Sequence, residues 1–304
     1  MSLETIEVKA QHRFDQDRLR AFLVELMPGF VGPLEVRQFE GGQSNPTYFL
    51  RTGAGNFVLR RKPPGQLVAS AHAVDREYRV LHALHRTGVP VPEVIVLCED
   101  PEVIGTAFFV MRHIPGRVLT DPTLPNLPPA DRRAVILSYV DTLAKLHRLD
   151  PEKVGLGDFG KPGNYFARQI SRWGRQYQET ETERVDEMHV LLAWLEQHVP
   201  EQSATSIVHG DFQSGNSLTH PIEPRVVAVL DWELSTLGDP LADFTYYTGP
   251  WHAGPGDRSF HGHDLAALGV PRYEELVEVY CAATQRSGVT HEWFYRAFHA
   301  FRSA

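Results

Sequence analysis

The stretch SIVHGDFQSGNSL at 206–218 sets His209, Asp211 and Asn216 in order behind a short apolar run. Asp231 follows in VLDWE, after the turn PIEP. If 217–220 and 226–230 pair as a hairpin, Asn216 and Asp231 fall at its same open end. An amide oxygen and a carboxylate then face one spot. Both are hard donors, suited to Mg2+ with water and phosphate oxygens filling its shell. Asp211, at the end of the preceding strand, can take the proton of a hydroxyl that attacks a phosphoryl group. Phosphoryl transfer asks for this set: a carboxylate near the nucleophile and oxygen ligands for metal. Taken singly, each residue has a plainer reading as a turn residue, a cap or a buried histidine. The ordered set in a strand–turn–hairpin context favours catalysis, with His209 supporting the loop.

Upstream, FEGGQSNPTYFLR places Gly41 and Gly42 in a turn between strands, where backbone can approach a phosphate closely. It is not a Walker A loop, because no G-x4-G-K-[ST] occurs. In NFVLRRK, alternate residues share a strand face, so Arg60 and Lys62 lie with Val58 while Leu59 and Arg61 point away. Either base can reach nucleotide phosphates. Glu77, on the helix that follows, is placed to pair with the strand's base. AFFVMRHIPG is an apolar strand entering a connector at about 111–116, whose backbone groups can hold an adenine edge. In STLGDPLADF, Asp239 before Pro240 reads as a helix cap, and Asp243 one turn on is placed to brace the loop at 209–211. The histidines of 252–263 have no fixed carboxylate partner and read as an incidental surface loop.

The elements that must position these residues follow from periodicity. Leu19, Phe22, Leu23 and Leu26 repeat with helical spacing in 15–27. Period-two strands then fill 34–62, and a helix is expected at 71–86. Two more apolar strands precede IPG at 114–116. Beyond it, 129–148, 164–178, 186–198, 272–286 and 291–302 read as helices. This predicts an α/β (α+β) chain with an N-terminal antiparallel sheet lobe at 1–115 and a mostly helical lobe at 116–304. A formal net charge of −8 argues against nucleic acid or an anionic membrane as partner. Cys98 and Cys281 are too few for a disulfide framework, which favours a reducing, cytoplasmic setting. No apolar run approaches the roughly 20 residues of a membrane helix, and the N-terminus shows no apolar signal segment.

The segments GGQSNPTYFL, FVLRRKPPG, AHAVDREYRVLHAL, FFVMRHIPGRV, VHGDFQSGN and VLDWELSTLGDPLADF together resemble the aminoglycoside phosphotransferase family. Within it the chain is most similar to the branch that includes kinase-like domains fused to acyl-CoA dehydrogenases. The resemblance spans about 39–271. It implies a protein-kinase-like two-lobed fold with ATP as donor, bound between the lobes, Mg2+ as cofactor and a small-molecule hydroxyl as acceptor. The acceptor would be a metabolite such as a hydroxyacyl compound, or an aminoglycoside, and the enzyme a monomer or homodimer. By the resemblance, Asp211 is the catalytic base, Asn216 and Asp231 are the metal ligands, and Glu77 is the helix acid. Ser44 and Asn45 fall with Gly41 and Gly42 in the phosphate-covering turn, and Met111, Arg112 and Ile114 in the hinge. The strand base is Arg60, with Lys62 as the alternative. HGD and DWE, where protein kinases carry HRD and DFG, point away from a protein substrate. The chain stops at FHAFRSA inside a predicted helix, where relatives are expected to continue with further helical chain. The rival reading is a nucleotide-binding pseudokinase acting as a regulatory module.

Overall fold

Alternating apolar and polar residues through 35–61 produce the strands that carry the first candidate site. The computed structural model describes residues 4–27, 29–30, 32–40, 45–63, 74–202, 204–256 and 258–304. Among them the strands are, in chain order, β1 (Thr5–Ile6), β2 (Glu35–Phe39), β3 (Thr47–Thr52), β4 (Gly55–Arg61), β5 (Val94–Cys98), β6 (Phe108–Arg112), β7 (Ser206–Val208), β8 (Ser217–Thr219), β9 (Val226–Val229) and β10 (Thr236–Gly238). The helices are α1 (Gln16–Leu26), α2 (Val74–Leu84), α3 (Pro101–Ile104), α4 (Pro129–His147), α5 (Tyr165–Thr180), α6 (Asp186–Gln197), α7 (Leu241–Tyr247), α8 (Leu265–Leu268), α9 (Tyr273–Thr284) and α10 (Glu292–Ser303). This is the α/β arrangement the periodicity predicts.

The chain divides into two compact units: Met1–Thr120 with Gly215–Glu233, and Asp121–Ser214 with Leu234–Ala304. The lobes expected at 1–115 and 116–304 differ from these units chiefly in one segment. Packing assigns the hairpin that carries Asn216 and Asp231 to the N-terminal unit.

In unit 1, six strands form one antiparallel sheet in the order β1-β2-β3-β4-β6-β5. Its two faces are loaded differently. Phe57 and Leu59 of β4, with Tyr48 and Leu50 of β3, join Leu19 and Leu23 of α1 in a buried cluster. Asp15 caps α1 by accepting from the Asp17 and Arg18 amides. Arg61 shares this face. It is buried beside the Phe14 and Tyr48 rings and donates to the Ile104 carbonyl at 3.1 Å. Val58 and Arg60, one residue out of phase, face the other side. There α2 lies against β5 and β6. The β8–β9 hairpin completes the unit, with Ser217 opposite Val229 and the Leu230 amide donating to the Asn216 carbonyl at 2.8 Å.

In unit 2, α4 packs against α9, and α10 against α6 and α7. β7 and β10 pair antiparallel, Ile207 opposite Leu237. The core is rich in aromatic contacts. Phe166 meets Phe294 and Phe298 edge-on, and Phe212 lies edge-on to Tyr139 and Tyr247. Gly210 follows β7 with φ 84°. A Cβ there would lie 2.6 Å from the Leu234 carbonyl oxygen, so both the backbone conformation and the space require glycine. Among the described residues, no helix is long and apolar enough to cross a membrane.

Candidate functional site

The phase of β4 delivers Arg60 into a cluster of acids in unit 1. Its Nε lies 2.9 Å from Glu77 Oε2, an ionic contact without the alignment of a hydrogen bond. Its Nη2 meets Asp231 Oδ1 and lies 3.7 Å from Glu233 Oε2. Lys62 stays outside, 3.8 Å from Asp75. Of the two bases open in the sequence, Arg60 is therefore the one that meets the helix acid. Burial works against the Arg60 charge, but Glu77 and Asp231 outweigh it and hold the guanidinium above its ordinary pKa. One guanidinium faces three acidic side chains, although among the described residues no group of three or more His, Cys, Asp or Glu is arranged to hold a metal ion.

Glu77 is buried, and burial pushes its carboxyl up to about 7, against the pull of Arg60; Asp231 and Glu233 push the same way. A pKa raised on folding contributes stability that is complete below the unfolded value of 4.5 and lost as pH rises through about 7. Glu77→Gln should flatten that decline when stability is measured by denaturant unfolding without nucleotide or metal. An unchanged slope would refute the assignment.

The hairpin register brings Asn216 and Asp231 to one end, as the sequence pairing predicts. Asp231 has φ 66°, a conformation that non-glycine residues adopt at a cost and that clusters at functional sites. Asn45 is buried. Its Nδ2 lies 3.5 Å from Glu233 Oε2, and its Oδ1 has no partner among the described residues. Beside these groups an open pocket encloses about 760 Å³, walled by Val58, Leu81, Met111 and Leu218. Arg112, His113 and Ile114 line it too. The Arg112 amide is taken by the Glu93 carbonyl at 2.8 Å and the His113 amide by the Asn56 carbonyl at 3.2 Å. The Ile114 amide has no such partner among the described residues. The Arg112 side chain is exposed and bound to Glu93 at 2.6 Å. Gly41, Gly42 and Ser44 lie outside the described residues.

Asp211 belongs to a second constellation, in unit 2. Asp243, buried on α7, accepts the His209 amide at 2.6 Å and the Gly210 amide at 2.8 Å. It also faces His147 Nε2 at 3.3 Å, and His147 Nδ1 bonds the Tyr280 hydroxyl at 2.8 Å. Asp243 thus grips the two residues before Asp211, the bracing position read from the sequence. Burial opposes its charge, but His147 and the His209 amide outweigh that and lower its pKa. His209 is fully buried and accepts the Asp211 amide at 3.2 Å, a structural role. Asp239 accepts the Leu241 amide at 2.9 Å from one residue before the N-cap, which is Pro240 rather than the Asp239 expected from the sequence. The Asp211 carboxylate keeps 24% of its surface exposed. Gln213 Nε2 lies 3.3 Å from its Oδ2, and the Tyr246 hydroxyl donates to it. Arg302 approaches its Oδ1 at 3.7 Å. Of the 252–263 histidines, His252 is occupied by Arg296 at 3.1 Å and by the Tyr273 ring.

Sequence reasoning missed Glu233, His147, Tyr246 and Arg302. Glu233 had a usable signal, since it stands two residues after Asp231 in VLDWE. His147 closes the apolar face of α4 and carried no polar pattern. Arg302 is far from Asp211 along the chain, and no local spacing could connect them.

Comparison with known proteins adds to this geometry. Residues 35–278 match the model of the phosphotransferase enzyme family, APH. The chain is 42% identical over 304 residues to acyl-CoA dehydrogenase family member 10 of Mus musculus, an alignment covering 99% of this chain and 28% of that protein. Across the first curated relatives, the chain spans between 28% and 40% of their length. A crystallised candidate aminoglycoside phosphotransferase of Ralstonia eutropha superposes with TM-score 0.87 at 48% identity, covering 95% of this chain and 86% of that one. The aminoglycoside phosphotransferase APH(4)-Ia, in a ternary complex with ADP and hygromycin B, shares the fold at TM-score 0.58 and 17% identity, covering 93% and 88%.

Proposed function

Since this chain belongs to the phosphotransferase enzyme family, we propose that it moves the γ-phosphate of ATP to a hydroxyl of a small molecule in the cytoplasm. The observation that carries this reading is the open pocket of unit 1, whose apolar walls end on Arg60, Asn216 and Asp231. The Ile114 amide would meet an adenine edge, with Met111 as an apolar contact and Arg112 beside them; the amide's lack of a backbone partner among the described residues supports this. Arg60, held ready by Glu77, receives phosphate oxygens as a planar fork of donors. Of the residues expected over the phosphates, Asn45 is buried with its Oδ1 unpartnered among the described residues, and its side-chain amide would donate to a phosphate oxygen. Asn216 and Asp231 would hold Mg2+, which when bound neutralises charge on the phosphates.

Asp211 accepts the proton of the acceptor hydroxyl. The hydroxyl oxygen forms its bond to the γ-phosphorus as the bond from that phosphorus to the ADP oxygen breaks, and ADP leaves with the electron pair. The gain comes from positioning and from fixed charge, since the protein forms no covalent bond itself.

The acceptor is a hydroxylated metabolite, of which a hydroxyacyl compound is the leading class. Supporting this is the name of the relatives, acyl-CoA dehydrogenase family members, at 42% identity. Neighbours that share the fold hold ADP in APH(4)-Ia and GDP in APH(2")-IIia, which supports a purine nucleotide as donor. Incubation with ATP, Mg2+ and a metabolite extract, read by mass spectrometry, should reveal a compound that gains one phosphate. Loss of that gain on omission of Mg2+ is also expected. Nucleotide binding with no transfer and no hydrolysis would favour the pseudokinase reading instead.

A further inference from the structure

Arg302 is a strong cation set beside Asp211, and its surroundings are unusual for a surface arginine. The guanidinium lies over two rings of unit 2, 5.3 Å from Trp173 on α5 and 5.0 Å from Tyr246 on α7. Such contacts orient the plane and favour the charge. Its side chain keeps only 12% of its surface exposed. Yet among the described residues no hydrogen-bond acceptor takes its N–H groups; the Asp211 carboxylate, at 3.7 Å, is an ion pair at long range. A guanidinium carries five donors and cannot shed its charge. Those donors are held in place and left open next to the carboxylate proposed to receive the acceptor's hydroxyl.

Charges of both signs act around that spot, Asp243 and Asp239 among the acids and Arg302 among the bases. Tyr246, whose hydroxyl meets Asp211, also feels Arg302 and Arg258, and the acid acting on it is Asp211. His299, against the Tyr246 ring, is buried and held neutral, its pKa pushed down to about 3 by burial and by Arg302. A polycationic acceptor would meet the fixed Arg302 charge beside the Asp211 carboxylate. An acceptor with an oxyanion near its hydroxyl would meet ready donors.

We propose that Arg302 is a specificity-determining residue that binds an anionic oxygen of the acceptor, so that the enzyme takes hydroxycarboxylates and related oxyanion-bearing alcohols and disfavours aminoglycosides. This rests on the phosphotransfer reading above and names the class of acceptor. Charge-assisted bidentate contacts of this kind discriminate by roughly 10–100-fold.

The test is a matched panel: hydroxycarboxylates from 3-hydroxybutyrate to 3-hydroxydecanoate, each with the diol that replaces its carboxylate by CH2OH, and kanamycin as the cationic probe. The full chain with ATP and Mg2+ should phosphorylate at least one hydroxycarboxylate with kcat/KM about 10–100-fold above its diol. Arg302→Gln should bring the pair to near parity by raising KM for the carboxylate, and Arg302→Lys should restore part of the gap. A merely structural Arg302, tying α10 to α5 and α7, would change melting temperature and leave the carboxylate-to-diol ratio alone. Equal rates in the unaltered protein, preference for diols or kanamycin, or no carboxylate accepted while Asp211-dependent ATP hydrolysis persists would each overturn the proposal. Absence of Asp211-dependent turnover with every probe would instead count against phosphotransfer itself. Should Arg302→Gln fail to fold, competitive inhibition of the unaltered protein by butyrate to decanoate, and none by the matching alcohols, decides the matter.

Discussion

Asp211→Asn should lower phosphate transfer by about 10²–10⁴-fold, the range of general-base contributions. Nucleotide affinity should stay within about twofold, because that much is only about 0.4 kcal/mol. The reasons are local. Asn keeps the size of the side chain and can still bond Gln213 and Tyr246, so the loop should hold its shape. It cannot take a proton. The groups proposed to bind nucleotide, Arg60, Asn216, Asp231 and the Ile114 amide, belong to unit 1, whereas Asp211 belongs to unit 2. Single-turnover rates and calorimetric titration with ADP separate the two effects. Turnover that survives unchanged would remove Asp211 from the reaction. A parallel loss of ADP binding would mean that the loop supports the pocket rather than the chemistry.

Asp243→Ala carries the largest expected loss of stability. The carboxylate is buried and accepts two amides of the loop at 2.6 and 2.8 Å, with His147 at 3.3 Å. Removing it strands donors that have no water to turn to, each costing about 1–3 kcal/mol. Breaking a buried charged pair costs about 3–5 kcal/mol. A loss of about 3–5 kcal/mol in a unit of this size should lower its melting temperature by about 10 °C. Asp243→Asn, which keeps one acceptor, should lose less. The lowered pKa of Asp243 sets the sign with pH: its contribution is present above the ordinary 3.8 and lost as pH falls through the depressed folded value. The gap between the parent protein and Asp243→Ala should therefore narrow in acid. Melting scans at about pH 7 and pH 3 check both statements, and a variant as stable as the parent would show that the loop does not depend on this brace.

Much of the site could be read along the chain because its geometry is local. The alternation in NFVLRR is enough to separate Arg60 from Arg61, since successive strand residues face opposite ways. The two then meet different fates, Arg60 among acids and Arg61 among rings. The turn PIEP, flanked by apolar runs, sets the hairpin that joins Asn216 to Asp231. GDPLAD positions Asp243 because a helix places residues one turn apart on one side.

What the sequence determined by itself was therefore the family resemblance and the order of its parts: strand, loop carboxylate, hairpin, second carboxylate. Tertiary structure alone decided what surrounds them. It chose Arg60 over Lys62 by which base α2 meets, gathered Glu77, Asp231 and Glu233 around a single guanidinium, and moved the hairpin into the N-terminal unit. It also set Arg302 over Trp173 and Tyr246, facing Asp211. Periodicity and pairing rules reach a few residues along the chain, and they say which way a side chain points from its own element. Which side chain waits opposite depends on how the elements pack, and that is written in the whole core rather than in any one motif.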